Sequence, residues 1–526
     1  TTYSNWILKL LDDDKLKNST AGFYDVQGNF SFDLDEDNSL YISGYMSHDN
    51  FDYYLEDAFE YNTFASSLKW KHIFSPKLFS TFSAITSNYD YAMQSRIDST
   101  LSNSVKYNIN QSSLKADFSY HSSKNHKIDF GLNSTYYNLS PGIREPVGPL
   151  SIVTNKEIEK ERALETSLYL SDEFELNDFI SISAGLRYTL YGNFGPKTQF
   201  NYQDGLPKSV ETIKDTTLYG KGASVKFYSG PELRFSTNIK TTSSSSIKVG
   251  FSRMHQYIHM MSKTTAMSPT DIWKLSDNYL KPQRGDQVSI GFYKNLRRNT
   301  IEASVETYYK KLKDILDYKG GAQLVMNEHL ETDVLNGIGK AYGVELMLQK
   351  KTGKFSGWIN YTYSRILHKI DSDFEEERVS NGEYFPANYD KPHNFKYIFN
   401  YKATRRFNVS SNFFYSTGRP YTAPIAYYYF NDAYRVYYTE RNGVRMADYI
   451  RLDLAATING NLLKRKLNHS SWTFAVYNVL GRRNPYSIFF RTEEGEVKGY
   501  KMSIFGQPIF TVTYNFKILG NAKDDF

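Results

Sequence analysis

Hydrophobic and polar residues alternate along many segments of the chain. From Tyr24 to Leu34 the even-numbered positions are largely apolar and the odd-numbered positions are polar. The same two-residue period runs from Ile180 to Leu190 and from Phe510 to Ile518. Such alternation is typical of strands with one apolar and one polar face, and each segment reaches the ~9 to 11 residues with which a tilted strand crosses a bilayer. The pattern therefore predicts transmembrane β-strands.

The connections between these segments alternate in length as well. Nine short connections, such as 34–38 and 74–77, alternate with nine longer ones, such as 47–62, 88–105 and 417–445. Short periplasmic turns and long external loops are typical of transmembrane β-barrels. The chain is therefore expected to be an all-β, antiparallel transmembrane barrel to which it contributes about nineteen strands.

An odd number of strands has a further consequence. Bacterial single-chain barrels have an even number of strands, and open sheet edges in lipid leave costly unpaired backbone groups. We therefore expect further strands upstream, pairing with both edges. Residues 1–19 are expected to form an extracellular loop segment, residues 20–518 the barrel, and residues 519–526 a periplasmic tail. A passive pore of about eighteen strands would fit if one predicted strand were false.

Composition and charge narrow the remaining classes. The chain of 526 residues has 45 Tyr, 35 Phe and no Cys, too many aromatic residues for a disordered protein. No stretch approaches the ~20 apolar residues of a membrane-spanning helix. A net charge of +6, evenly spread, does not indicate a nucleic-acid partner. Nucleophile-elbow and phosphate-loop signatures are missing, so neither an enzyme nor a cofactor is indicated.

Two groups of residues contain potential metal ligands. His255 and His259 stand four apart, a spacing that joins both imidazoles on one ion in a helix, whereas this segment leaves a strand. Lumen or loop histidines are the simpler interpretation. The acidic run from Asp371 to Glu377 could offer oxygen ligands to calcium, but it lacks the glycine-spaced order of an EF-hand. A solvated loop is the favoured interpretation, so no metal site is predicted.

Aromatic residues crowd one long connection and its flanks: Tyr421, Tyr427, Tyr428, Tyr429, Phe430, Tyr434, Tyr437 and Tyr438. Tyrosine offers apolar area and a polar tip, which suits a ligand or a protein partner. The flanking members could instead belong to the interfacial aromatic girdle of a barrel.

Several strings in the second half carry a resemblance to a known family. They lie, in this order, at 256–259, 268–273, 280–287, 343–346, 357–364, 389–395, 417–421, 445–453, 477–479, 483–486 and 508–514. Their order and spacing are similar to those of TonB-dependent outer-membrane receptors, specifically the group with an N-terminal carboxypeptidase-regulatory-like domain, a plug and a 22-stranded barrel. With nineteen strands here, the resemblance implies that the plug and the first three strands lie upstream.

The resemblance implies active import across the outer membrane. A ligand would bind external loops, and a plug would signal to TonB, with proton motive force driving release. The candidate ligand- or partner-binding residues are His259, Trp273, Arg419, Tyr421, Tyr427, Tyr428, Tyr429 and Tyr434. Expected partners are outer-membrane lipid, the plug and first strands, TonB and a surface lipoprotein lid. The alternative is a transport-inactive barrel that scaffolds a surface complex. Ligand identity stays open, and the aromatic loop favours saccharides or peptides.

Overall fold

The chain folds into one large antiparallel sheet, and the long loops at one end of its strands carry β-hairpins. The computed structural model describes residues 2–3, 8–9, 14–54, 56–262, 271–430, 433–460, 468–493, 496–503 and 506–518. The sheet of 22 strands comprises nineteen long strands and three two-residue segments. The long strands are β1 (Thr20–Asp33), β2 (Asn38–Asp52), β3 (Asp57–Ser75), β4 (Leu78–Ser95), β5 (Asn103–His121), β6 (His126–Pro146), β7 (Glu161–Asn177), β8 (Ile180–Phe194), β9 (Ser224–Thr242), β10 (Ser245–Gln256), β11 (Gln283–Leu296), β12 (Ile301–Tyr318), β13 (Val334–Lys350), β14 (Phe355–Lys369), β15 (His393–Lys402), β16 (Phe407–Ser416), β17 (Tyr449–Asn459), β18 (Asn468–Tyr477) and β19 (Ile509–Ile518).

Every long strand pairs with the next one along the chain, so the sheet is a simple up-and-down meander. The short segments Thr2–Tyr3, Lys156–Glu157 and Phe385–Pro386 extend β1, β6 and β14, respectively. The nineteen strands predicted from alternation and connection length are confirmed. The strands can be counted from the sequence because side chains in a strand point alternately to lipid and to the lumen, which gives a two-residue repeat of apolar and polar residues.

The predicted faces are present in the structure. In β8, Leu186, Tyr188 and Leu190 are exposed on one face, whereas Thr189 and Tyr191 are buried on the other. The last strand exposes Phe510, Val512, Tyr514 and Phe516 on its apolar face. Exposed apolar side chains in such rows match a bilayer-facing surface rather than a water-facing one.

The connections differ from the prediction at the first two long loops. The loops expected at 47–62 and 88–105 shrink to 53–56 and 96–102, because the flanking strands continue beyond the predicted boundaries. Later loops carry hairpins of their own: Lys197–Tyr202 with Ile213–Tyr219, Ile258–Met261 with Ile272–Leu275, Pro420–Tyr421 with Val444–Arg445, Pro424–Phe430 with Ala433–Tyr438, and Pro485–Glu493 with Glu496–Ser503.

Helical structure is sparse. The described helices are Asp14–Asn18 and Leu330–Asp333, with single 3₁₀ turns at Val210–Thr212, Glu375–Glu377 and Ser380–Gly382. Within the described ranges, no helix is long and apolar enough to cross a membrane.

In the part of the chain that the structure describes, the two ends of the meander do not pair with each other. Among the described residues, β1 pairs with β2 and with Thr2–Tyr3, and β19 pairs with β18. The expectation that another segment pairs with both edges stays a prediction. The expected tail 519–526 lies outside the described residues.

Candidate ligand-binding site

The hairpin formed by Ile258–Met261 and Ile272–Leu275 lies on the polar face of the sheet, against β6 and β7. Its fully buried Leu275 packs with Leu139 of β6 and Ala163 of β7, in a cluster completed by Tyr137, Tyr191 and Tyr257. The rings of Tyr191 and Tyr257 stack at 4.6 Å. This hairpin, hereafter the luminal hairpin, is thus fixed by apolar packing on a surface that is otherwise polar.

Buried charges fix the luminal hairpin as well. Lys274 pairs with Glu161 of β7 and lies 3.4 Å from Asp277, which in turn lies 2.7 Å from Lys197. Glu161 also accepts the backbone N–H of Leu275 at 2.8 Å. The four charges sum to zero, so burial leaves no member of this charge cluster without an opposite partner.

Ionisation within the charge cluster follows from its two cations and two carboxylates. Burial works against the charged form of Lys274, but Glu161 and Asp277 outweigh it and raise the pKa of the Lys274 ammonium. Burial likewise opposes ionisation of Asp277, but Lys197 and Lys274 lower the pKa of its carboxyl. Lys274 and Asp277 are therefore charged at neutral pH, and their ion pairs anchor the luminal hairpin.

A cavity of about 480 Å³ lies between the luminal hairpin and strands β3 to β6. We call it the tyrosine cavity. Its lining residues are Tyr61, Tyr89, Tyr91, Tyr107, Asn108, Ile109, Leu139, Ser140, Pro141, Met260, Asp271, Ile272 and Trp273. This volume is within the ~300 to 1,000 Å³ of small-molecule sites. The mixture of aromatic walls and a few polar groups is likewise that of a ligand pocket.

A row of rings forms one wall of the tyrosine cavity. Tyr61, Tyr91 and Tyr107 are direct partners across β3, β4 and β5, so their side chains share one face of the sheet. Ring centroids are 5.1 Å apart between Tyr61 and Tyr91 and 5.7 Å apart between Tyr91 and Tyr107. The buried hydroxyls of Tyr91 and Tyr107 have no hydrogen-bond partner among the described residues. A ligand that reaches these hydroxyls can pair with them.

A second cavity of about 290 Å³ adjoins the first, with Pro141, Ile272 and Trp273 lining both. Its carboxylates are engaged with neighbouring loops: Glu159 accepts from Thr198, Glu328 pairs with Lys156, and Tyr202 donates to Glu331. These contacts join three long connections over the polar face. The second cavity is therefore a seam between loops rather than an open acidic site.

Two predicted site residues lie on the luminal hairpin. Trp273 faces both cavities and is the cross-strand partner of Met260. His259 is 1 % exposed, its Nε2 lies 2.8 Å from the Ser276 hydroxyl, and it is absent from the described lining of either cavity. Burial lowers the pKa of His259 to about 4, so its imidazole is neutral at physiological pH. Its ligand contact remains a prediction.

The histidine pair is separated by its contacts. His255 Nδ1 lies 3.3 Å from Glu232 on β9, whereas His259 faces Ser276. The backbone is extended at both histidines, as the sequence predicted. In the acidic run, Asp371 lies 3.2 Å from Lys369 and Glu377 lies 3.1 Å from Lys319. Across the described ranges, no cluster of three or more potential ligands is arranged to hold a metal ion.

The other predicted site residues belong to the loop between β16 and β17. The ring of Tyr421 stacks on Phe490 of the hairpin that follows β18, with centroids 6.2 Å apart. Tyr428 and Tyr429 are 51 % and 62 % exposed on the Pro424–Phe430 hairpin. Arg419 has its own electrostatic or hydrogen-bond partner. Tyr427 and Tyr434 occupy the same hairpin backbone, and their side chains lie outside the described residues.

The strings that carry the family resemblance are largely structural. Asp390 is fully buried, pairs with Arg445, and accepts the backbone N–H of Ile366 at 2.7 Å. Asp448 accepts the backbone N–H of Gly418 at 3.0 Å, and Asn484 bonds both backbone groups of Ile450. These side chains bond the loops to the strand ends. This structural role explains why carboxylate and amide side chains occur at these positions, without a role in ligand binding.

The row of Tyr61, Tyr91 and Tyr107 escaped the sequence analysis. Each lies on the polar face of its strand, near the end remote from the short turns. A large aromatic residue at a position expected to be polar was the available signal. The sequence contains these aromatic positions, but which rings contact each other depends on strand register.

Comparison with known proteins agrees with this architecture. The family model of the TonB-dependent receptor-like β-barrel matches residues 2–479. No curated protein sequence matches the chain significantly.

Solved structures with the same fold include three outer-membrane receptors or transporters. The ferric-catecholate import receptor Fiu from E. coli K12, in its closed form, is 13 % identical with a TM-score of 0.62, covering 94 % of this chain and 74 % of that one. The copper transporter OprC is 11 % identical with a TM-score of 0.62, covering 95 % and 72 %. The siderophore receptor PiuA from Acinetobacter baumannii is 12 % identical with a TM-score of 0.62, covering 95 % and 75 %.

At these identities the structural matches show the fold, and the family model shows the relationship. The chain belongs to the TonB-dependent receptor β-barrel family, whose members are outer-membrane proteins that serve active import and are not enzymes.

Proposed function

We propose that this protein imports a nutrient that binds in the tyrosine cavity before release into the periplasm. The observation that carries the proposal is the pair of cavity-lining residues Tyr91 and Tyr107, whose buried hydroxyls have no partner among the described residues. An unpaired buried polar group costs about 1 to 3 kcal/mol, so a ligand that pairs with it relieves part of that cost. The names of Fiu and OprC, which describe import and transport, support uptake in general.

The position of the cavity suits a ligand that arrives from outside. Tyr91 is thirteen residues beyond Leu78, the first residue of β4 after a short turn. At ~3.3 Å per residue and ~45° tilt this puts Tyr91 about 30 Å along the membrane normal, near the outer edge of the ~30 Å hydrocarbon layer. The long loops lie at the same end. A ligand in the tyrosine cavity therefore meets the lumen at its external mouth.

In this proposal the remaining receptor parts lie outside the present sequence. Strands pair with β1 and β19 to close the wall, and a plug that couples to TonB lies in the polar lumen. Among the described residues β1 has one long partner, β2, and β19 pairs with β18 alone, which supports the first part because unpaired backbone groups in lipid cost several kcal/mol each.

The outer aromatic hairpins, Pro424–Phe430/Ala433–Tyr438 and Pro485–Glu493/Glu496–Ser503, form a second contact surface in this proposal. Exposed Tyr428, Tyr429 and Tyr437 lie on this surface, and Tyr421, three residues before the first hairpin, stacks on Phe490 of the second. Large exposed apolar areas mark interaction sites. A surface lipoprotein lid would cover the outer aromatic hairpins and retain the ligand.

The experiment is uptake in cells carrying the full receptor gene or a deletion. Labelled neutral disaccharides, dipeptides and a ferric catecholate serve as probes, each with and without a protonophore. We expect one class to enter in a receptor- and energy-dependent way and Trp273→Ala to reduce that entry at least tenfold. If every probe class entered cells equally with and without the receptor gene, the import proposal would be refuted.

A scaffolding role is the second candidate, and the exposed outer aromatic hairpins favour it. Replacing Tyr428 and Tyr429 by Ala separates the two functions. Loss of a co-purifying surface protein with unchanged uptake supports scaffolding, whereas reduced uptake supports a lid that serves transport. If neither uptake nor co-purification changed, the assignment of the outer aromatic hairpins would be wrong.

A further inference from the structure

We propose that the tyrosine cavity takes an uncharged, hydroxylated ring ligand, the chemistry of a neutral saccharide of one or two rings. This inference rests on the proposed import function for its location and deepens it by naming the substrate class. Three independent features of the cavity support it: its unpaired hydroxyls, the arrangement of its rings and its charge.

The hydroxyls define the polar chemistry of the ligand. Tyr91 and Tyr107 are 3 % and 8 % exposed, and the Ser140 hydroxyl nearby is also buried without a partner among the described residues. A hydroxyl both donates and accepts one or more hydrogen bonds. A ligand hydroxyl can match either role, whereas a carboxylate or phenolate can only accept. A ring bearing several hydroxyls therefore pairs with this set in more orientations than an anion does.

The rings define the apolar chemistry. Tyr61, Tyr91 and Tyr107 run along one wall, with interplanar angles of 38° and 19° between neighbours, and Trp273 stands on the luminal hairpin. Aromatic residues combine a large apolar face with a polar tip. A sugar ring has the complementary form, because its C–H groups make an apolar face while its hydroxyls project from the edge. The row continues over three strands, long enough for more than one ring.

Charge argues against an anionic ligand. Among the described lining residues, Asp271 is the one carboxylate and neither lysine nor arginine occurs. The nearby Lys274 and Lys197 are paired within the charge cluster. An anion that leaves water for this cavity would lose its hydration without gaining a cation. The siderophore chemistry of the structurally similar receptors therefore does not fit the tyrosine cavity.

An organic cation is the competing class, since tyrosine faces and Asp271 attract positive charge. Cation recognition uses ring faces that surround one point. Here the Tyr61–Tyr91–Tyr107 row presents rings side by side along a wall, and the cavity of about 480 Å³ is much larger than a single ammonium group. The unpaired hydroxyls would also stay unpaired around a quaternary ammonium, which has no hydrogen-bonding group.

The experiment is calorimetric titration of the purified full receptor in detergent. The probes are maltose, cellobiose, chitobiose and xylobiose as neutral disaccharides, an iron tris-catecholate as the anion, and tetramethylammonium as the cation. Tyr91→Phe and Tyr107→Phe remove only the unpaired hydroxyls and should fold normally. Tyr309→Phe, on the exposed face of β12, is the matched control, because Tyr309 is 51 % exposed and lines neither cavity.

We expect at least one disaccharide to bind, with affinity reduced about three- to tenfold by each cavity variant and unchanged by the control. Binding of a disaccharide with equal affinity to the cavity variants would overturn the site. Binding of the catecholate or tetramethylammonium alone, or of no probe below ~10 mM, would overturn the substrate class. Uptake with and without a protonophore tests import separately, so energy-dependent uptake of a non-saccharide would leave import standing while this inference fails.

Discussion

Removing the ammonium of Lys274 tests whether buried charge holds the luminal hairpin in place. The Lys274 side chain is 12 % exposed, and its partner Glu161 is 6 % exposed. Lys274→Met leaves Asp277 paired with Lys197 at 2.7 Å but leaves Glu161 without a cation. Glu161 keeps one hydrogen bond, from the backbone N–H of Leu275. An uncompensated buried charge costs about 3 to 5 kcal/mol.

Without that cation the luminal hairpin should lose about 3 to 5 kcal/mol against local opening, an increase of about two to four orders of magnitude in the opening equilibrium. The nineteen-stranded sheet should stay folded, because Lys274, Asp277 and Lys197 lie outside its ladders and Glu161 is the first residue of β7.

Hydrogen exchange at Leu275 and Ser276 measures the opening, since the Ser276 N–H donates to Tyr257 at 2.8 Å. Lys156→Met is the matched control, because Lys156 and Glu328 lie 3.1 Å apart with side chains 32 % and 51 % exposed. Such an exposed pair contributes about 0 to 1 kcal/mol. The double variant Glu161→Gln/Lys274→Met should recover most of the protection. Equal exchange in Lys274→Met and Lys156→Met would refute the anchoring role.

Three further predictions follow from burial. Burial lowers the pKa of His259 from 6.5 to about 4, so the opened luminal hairpin binds a proton that the closed hairpin does not. The free energy of hairpin opening, measured by hydrogen exchange, should therefore fall by about 1.4 kcal/mol per pH unit from pH ~6.5 towards pH ~4. His259→Gln should abolish this pH dependence. Asp390→Asn should destabilise the loop contact with Arg445 by about 3 to 5 kcal/mol and lower the thermal unfolding temperature. Asp371→Asn on the exposed acidic run should change the unfolding temperature little, and equal effects of the two variants would contradict the role of the buried carboxylate. Leu186→Arg should cost about 2 to 4 kcal/mol in membrane-inserted barrel, read from heat-modifiable gel mobility, and an unaffected variant would contradict the lipid-facing assignment.

The strands and their two faces could be predicted from sequence because the relevant signal is local. Whether Leu186 faces lipid depends on its neighbours at two-residue spacing, and the same holds for Phe510 to Phe516. Strand ends were less predictable: β2 to β4 continue past the expected loops, since polar residues that extend beyond a bilayer resemble loop residues in composition. The family resemblance added import and the outer membrane, which no periodicity contains.

The candidate site depended on contacts between distant parts of the chain. Tyr61, Tyr91 and Tyr107 meet because of strand register, which alternation within one strand does not specify. Lys274 finds Glu161 across 113 positions, and this contact places Trp273 at the cavity while burying His259. The sequence by itself thus determined an alternating nineteen-stranded wall, because lipid and water sort neighbouring side chains locally. Tertiary structure alone decided which aromatic and charged groups converge, because burial and pairing depend on residues brought together from several loops and strands.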